Sequence, residues 1–313
     1  MNKQPLHITN GSSLTKYLLE LEFSGDILTW EEMLCEGSTF VDIDSEAFFK
    51  TRKAFFASFY QLELDVYAFK DELKKLNHSE DYSEIVLWFE YDLFCHINMI
   101  AVISLIQQKK ISLPIYLVCS GRIKGNKNLV GLSELSSSQL IKHYEDRILL
   151  NDDDIKLAVS LWQIYCGIDH NLFKPFIVKS SSFKYLSNCL KAHLERFPDS
   201  KSGLNVLEKN ILEIVKNNTI KSEHHLLGYA LNYQGYYGFG DIQLLRIIDK
   251  LSLFFNIDKS GYTLNRKGHE ALLNQHHFYS EINNKMYYGG VSNADFQFSK
   301  EHNKLIKTNL NAY

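Results

Sequence analysis

In the first third of the chain, short uninterrupted apolar runs alternate with stretches where apolar residues recur every three or four positions. Leu6–Thr9 leads into Asn10-Gly11-Ser12-Ser13, after which Leu14, Leu18, Leu19 and Leu21 follow at helical spacing, a strand, turn and helix in sequence. Asp26–Trp30 reads as a second strand behind the Ser24-Gly25 turn. Phe48, Phe49, Phe55, Phe56 and Phe59 then mark one or two helices reaching to about Leu76. The continuous run Ile85-Val86-Leu87-Trp88-Phe89 has the pattern of a strand covered on both faces, and it stops at Glu90-Tyr91-Asp92. Leu93, Ile97, Ile100, Val102, Ile103 and Ile106 predict a helix to about Gln107, followed by a strand over Ile115–Val118. Strands and helices alternating at this length predict a mainly parallel, open three-layer α/β sheet with right-handed crossovers.

From Ser136 onward the pattern turns helical, with helices over Leu140–Tyr144, Asp152–Tyr165 (Asp152 as N-cap) and Lys184–Glu195. The stretch Arg196–Gly203, with Pro198 and Gly203, reads as a linker. Beyond it Leu204–Asn217, Glu223–Tyr233 and Asp241–Phe254 are three further helices. Phe254–Ile257 and Tyr262–Leu264 flank Asp258-Lys259-Ser260-Gly261 as a hairpin, and Arg266–Leu273 closes the unit as a helix. That order is winged-helix-like. The tail, with Gly289-Gly290-Val291 and Asp295–Ser299, adds a hairpin or strand. The predicted organisation is an open-sheet domain over residues 1–135, a helical connecting region over 136–195 and a winged-helix-like domain with a short β tail over 196–313.

Composition narrows the class. At 313 residues the chain holds about two domains at roughly 150 residues each. The 45% apolar content, with 20 Phe and 18 Tyr, is that of a folded chain and not of a disordered one. The net charge of -3 hides an asymmetry, because residues 1–110 carry -8 and the remainder +5. Neither part has the dense basic stripe of a phosphate-backbone binder. The 5 cysteines are widely spaced and odd in number, so they indicate reduced thiols and no disulfide framework or zinc knuckle. The amino terminus lacks the apolar core of a signal peptide, and no run of roughly 18 apolar residues occurs. A cytoplasmic protein with no membrane partner is the expectation.

Several segments together resemble an uncharacterised bacterial family, domain of unknown function 1835. They are His7-Ile8-Thr9-Asn10-Gly11, Asp26-Ile27-Leu28-Thr29-Trp30 with Glu36-Gly37, Trp88-Phe89-Glu90 with Asp92-Leu93-Phe94, Arg196-Phe197-Pro198 with Gly203-Leu204, and Gly238-Phe239-Gly240-Asp241. The resemblance covers most of the chain and implies that its two halves form one recurring unit, with no activity attached. Two positions depart from it: Ser12 stands where the family commonly has an acid, and Ser38 where it has proline.

In open parallel sheets ligands bind beyond the carboxyl ends of the strands, near the reversal of strand order. Applied here, that rule selects Asn10, Gly11, Ser12 and Ser13 after the first strand, and Glu31, Glu32 and Glu36 after the second. It selects Glu90, Asp92 and nearby His96 after the third, and Ser120, Gly121 and Arg122 after the fourth. The Asn-Gly-Ser-Ser turn has the composition of an anion cradle at a helix N-terminus; capping by Ser12 or Ser13 is the simpler alternative. Glu90, Asp92 and His96 offer an acid/base pair or part of a metal site, while the plainer reading makes Asp92 a helix cap and His96 a packed side chain. Glu31, Glu32 and Glu36 can ligate a divalent cation such as magnesium or bond a ribose hydroxyl. Arg52, with Lys50 and Lys53, can neutralise a phosphate or line a solvated helix face.

The adjacent histidine pairs His224-His225 and His276-His277 diverge on a helix, and His269-Glu270 lacks the second histidine of a zincin. In the position of a recognition helix, Asp241–Phe254 carries mixed charges, Arg246, Asp249 and Lys250, and is poorer in Arg, Lys, Asn and Gln than a DNA-reading face. The aromatic, glycine-rich stretch Tyr233–Gly240 has the composition of a lid. The leading expectation is binding of a small anionic or phosphorylated molecule, a nucleotide among them, with Asn10, Glu36, Glu90 and Asp92 sharing one crevice. The alternative is a regulatory protein that contacts DNA or a protein partner through its C-terminal unit.

Overall fold

The computed structural model describes residues 3–126 and 128–308. Strand β1 (Gln4–Asn10) passes into helix α1 (Ser12–Glu20), which returns to β2 (Asp26–Trp30). Helices α2 (Glu46–Phe55) and α3 (Val66–Lys74) precede β3 (Tyr82–Phe89), α4 (Leu93–Gln108) and β4 (Ile115–Cys119). Helix α5 (Ser137–Glu145), the two-residue strand β5 (Ile148–Leu149) and α6 (Asp152–Cys166) complete this part. The five strands are ordered β2-β1-β3-β4-β5, all parallel except for the antiparallel edge strand β5. The mainly parallel α/β sheet is therefore present.

Both faces of the sheet are covered. Leu14 and Leu18 of α1 and Leu140 of α5 pack on Val86, Trp88 and Val118 on one side. On the other, α4 contributes an almost wholly buried helix against Leu6, Ile8, Leu28, Ile85, Leu87 and Leu117, and α6 packs behind it. Burial all round explains why α4 is apolar on every face rather than on one stripe.

After α6 the chain is mostly helical: Leu186–Glu195, Val206–Asn217, Glu223–Tyr233 and Asp241–Lys250, then the antiparallel hairpin Phe255–Asp258/Gly261–Leu264 and helix Arg266–Leu272. The tail forms two short hairpins, and Gly37–Ser38 pairs in parallel with Tyr287–Gly289, tying the tail to the first part of the chain. Arg196 and Phe197 are fully buried, so the stretch expected to be a linker lies inside the same core. The N-cap of α6 is Asn151, not Asp152: its carboxamide accepts the amides of Asp153 and Asp154, and Asp154 answers onto the Asn151 amide as a capping box. Among the described residues no helix is long and apolar enough to cross a membrane.

Candidate functional site

The strand order reverses between β1 and β3, which places the switch point at Asn10 on one side and Glu90 to Asp92 on the other. A cleft of about 460 Å³ opens there. Its walls include Asn10, Gly11, Ser12 and Ser13 from the β1–α1 turn, Trp30 to Met33 after β2, Phe56, Phe94, and Gly238, Gly240 and Gln243 from the C-terminal region.

The turn is built for close backbone approach. Gly11 sits at φ 96° as the N-cap of α1 and donates its amide to the Trp30 carbonyl at 3.1 Å. No side chain caps the helix, and Ser12 and Ser13 stay exposed. The first-turn amides of α1 thus face the cleft end of the helix with its partial positive charge uncompensated. Beneath the turn, the hydroxyl of Thr15 is 2.6 Å from that of Thr9 and 2.8 Å from that of Thr29, fixing the helix to both strands.

Asn10 turns inward. Its amide donates to Cys95 Sγ at 3.1 Å, and its carbonyl oxygen accepts from Asn98 at 2.8 Å. Asn98 also donates to the Glu32 carbonyl and accepts the Leu34 amide, so one buried carboxamide holds the ends of β1 and β2 together. Trp30 is buried with its indole N–H unpartnered.

Glu90, Asp92 and Cys95 present ligand atoms within 4.8 Å of one another. Glu90 accepts the Leu132 amide at 2.7 Å. Asp92 is the N-cap of α4 and accepts the Cys95 amide at 2.8 Å. Burial, and then the adjacent Glu90 carboxylate, push the Asp92 carboxyl up to about 7; burial raises Glu90 as well. The stretch Tyr233–Gly240 closes over this point: the carbonyls of Tyr236 and Tyr237 accept the amides of Leu93 and Phe94, and Gly238 lies directly on the Asp92 carboxyl.

Four residues put forward from the sequence do not line the cleft. Glu36 does not line the cleft; it is buried and receives the Tyr60 hydroxyl, the Gln243 amide at 3.0 Å and Arg246 at 3.4 Å. Arg52 is neither solvated nor free to meet a phosphate, because its guanidinium is fully buried against Glu32 and the carbonyls of Met33, Glu36 and Ser38. Lys50 and Lys53 point to solvent on the opposite side of α2. His96 is buried, with Nδ1 2.8 Å from the Asp92 carbonyl and its imidazole pushed down to about 4 by burial. Ser120 is buried with an unpartnered hydroxyl.

So the structure gathers Asn10 to Ser13 around one cleft, sets Glu90 and Asp92 immediately behind Asn10 and Gly238, and separates Glu36, Arg52 and His96 from it. Cys95, Asn98 and Gln243 belong to the same neighbourhood without having been singled out, and Gly238 comes from the stretch read as a lid. Cys95 had a signal, since it lies three residues after a capping aspartate, where the cap's own amide partner must be. No protein-family model matches this chain, and no curated protein matches it.

Proposed function

We propose that this protein binds a small anionic, phosphorylated molecule of nucleotide type in the cleft at the switch point of its sheet. The observation that carries the reading is the uncapped amino end of α1 opening into that cleft. Its free amides would receive the anionic group, as helix N-termini do in phosphate sites. Phe56, Phe94 and Trp30 supply the apolar and aromatic surface a planar group requires. The five-residue π-helical turn Phe56–Tyr60 that presents Phe56 is a backbone irregularity of the sort common beside functional sites. The carboxylate of Glu31, exposed on the wall of the cleft, would accept from a sugar hydroxyl. Kinship with domain of unknown function 1835 is part of the same proposal, supported by the fact that four of its segments, at Asn10, Trp30, Glu90 and Gly238, converge on this place.

The helices and hairpin from Val206 to Leu272 we read as a winged-helix-like unit used for packing. Gln243 and Arg246, on the helix that would read DNA, are turned inward to Glu36. Regulation through DNA contact is the less favoured reading for that reason.

The test is thermal stabilisation of the full chain by a panel of nucleoside mono-, di- and triphosphates, with and without magnesium. A ligand at a hundred times its Kd adds about 2.7 kcal/mol. In Ser13→Asp the new carboxylate occupies the helix terminus, so the ligand shift should vanish while the unliganded melting temperature holds or rises. Absence of a shift with every nucleotide, or an undiminished shift in Ser13→Asp, overturns the reading.

A further inference from the structure

Behind the cleft, two carboxylates and a thiol are held together with backbone amides on the carboxylates and no cationic side chain paired to them. Glu90, Asp92 and Cys95 bring one ligand atom each within a 4.8 Å span. Asp92 and Cys95 are buried, and Glu90 is partly buried. Among the described residues no lysine, arginine or histidine is ion-paired with either carboxylate, and the charges nearest to them are acidic. Like charges in a low-dielectric pocket repel strongly, so such an arrangement calls for a cation or for bound protons.

A second observation lies on the neighbouring strand. The parallel register ends with Phe89 paired to Cys119, and Glu90 and Ser120 are the residues that follow on the two strands. The Ser120 hydroxyl is buried and has no hydrogen-bond partner. An orphaned buried hydroxyl is costly, and a water or ligand on an adjacent ion would remove that cost.

We propose that Glu90, Asp92 and Cys95 form a binding site for a zinc-class divalent cation at the end of β3. The thiol decides the metal class, because thiolate sulfur favours zinc over the hard, oxygen-seeking magnesium and calcium ions. Tetrahedral zinc places its ligand atoms roughly 3.3–3.6 Å apart, given Zn–O near 2.0–2.2 Å and Zn–S near 2.3 Å. Closing the present span to that value requires the two carboxylates to rotate toward the sulfur. Asn10, whose amide donates to the Cys95 sulfur at 3.1 Å, would hold the thiolate in place from the end of β1. Three protein ligands leave a fourth position for water. The site goes beyond the cleft reading and does not depend on it, since no residue of the anion cradle is a ligand.

The experiment is a titration of the chelator-stripped full chain with zinc and, separately, with cobalt, in the absence of any nucleotide. The expected result is one equivalent bound and a thiolate-to-cobalt charge-transfer band. Cys95→Ser should abolish that band and weaken zinc binding at least about tenfold, the lower end of what even an outer partner of a metal ligand costs. Glu90→Gln, which alters a partly buried group and leaves the α4 cap intact, should weaken it likewise. Cys166→Ser, remote from both carboxylates, should leave it unchanged, as should His224→Ala/His225→Ala. Failure to bind a stoichiometric ion, a cobalt complex without the thiolate band, or zinc affinity equal in wild type and both ligand variants overturns the proposal. Nucleotide stabilisation measured on the same variants reports separately on the cleft.

Discussion

Arg246 and Glu36 are 210 positions apart in sequence and meet in the interior, Nη2 lying 3.4 Å from Oε1. The contact fastens the helix Asp241–Lys250 to the segment that follows β2, next to the Tyr60 hydroxyl and the Gln243 amide on the same carboxylate. Losing the guanidinium leaves a buried carboxylate with only neutral donors. Arg246→Ala should therefore cost roughly 3–5 kcal/mol in urea unfolding, the range for breaking a buried pair. Salt-dependent retention of the wild type on duplex DNA should be absent, because the residue that would supply the contact is spent internally. Retention that Arg246→Ala removes would restore the DNA reading.

The buried pair of Arg52 and Glu32 differs from an exchangeable ion pair in what else the guanidinium does. Nε meets both Glu32 oxygens at 3.0–3.1 Å, while Nη1 and Nη2 serve the carbonyls of Glu36, Ser38 and Met33. An isolated buried pair can often be replaced by apolar residues at little cost, but here that replacement takes the guanidinium donor from the Glu36 and Ser38 carbonyls at about 1–3 kcal/mol each, while Met33 keeps the Glu36 amide. Arg52→Met/Glu32→Leu should remain destabilised by several kcal/mol by that same reckoning. Arg52→Lys, with a point charge in place of a planar fork, should fare little better. A double variant as stable as wild type would show that the carbonyls are satisfied in another way.

Gly238 and Gly240 flank the same cleft and should respond in opposite ways. Gly238 has φ +69°, and a Cβ there would overlap the Asp92 carboxyl. Gly240 has φ -84°, and a Cβ there meets nothing within 4 Å. Gly238→Ala should lose at least about 1–2 kcal/mol from the left-handed conformation alone. Gly240→Ser places a favoured N-cap residue on the following helix and should be neutral or stabilising. Equal melting temperatures for the two variants would contradict the packing of Gly238 on Asp92.

What could be read from sequence divides along physical lines. The parallel strands declare themselves because burial on both faces forces continuous apolar runs, as in Ile85 to Phe89. The turn at Asn10 to Ser13 is legible because a glycine and serines ahead of leucines at helical spacing mark a strand-to-helix connection. The edge strand Ile148–Leu149 has only two residues and no period to detect. Arg52 was misleading because Lys50 and Lys53 surround it, yet it falls four residues after Phe48 and three before Phe55, on the buried face of α2. Arg246 and Gln243 likewise share the inward face with Leu244 and Ile247, and only the partner, Glu36, was out of reach of any local pattern.

The last prediction concerns acid. Arg196 is buried and can only donate, so its Nη2, 2.7 Å from His193 Nδ1, makes that nitrogen an acceptor. The proton of His193 is then on Nε2 and points at His170 Nδ1, 2.9 Å away, which sends the His170 proton to Nε2 and on to the Tyr165 carbonyl at 2.9 Å. Both rings are neutral in this relay, since protonating His193 would oppose two donors and set a second cation beside Arg196. Burial, with Arg196 adding to it, pushes His170 down to about 4 and His193 well below its ordinary value, against only Asp169 and the Tyr165 carbonyl on the raising side for His170. In the unfolded chain both titrate near 6.5. Between those values the unfolded state takes up protons that the folded state refuses, so stability falls as pH falls from about 6.5 toward 4, by up to about 1.4 kcal/mol per pH unit for each ring. Above pH 7 the two rings contribute no slope. Buried carboxyls raised by burial, Glu208 among them, titrate with the opposite sign and are common to any variant. His193→Asn should therefore be less stable than wild type at pH 7.5, and its urea midpoint should decline less steeply between pH 6.5 and 5. Parallel profiles for the two proteins would show that His193 does not resist protonation in the folded state, and the neutral relay would be overturned.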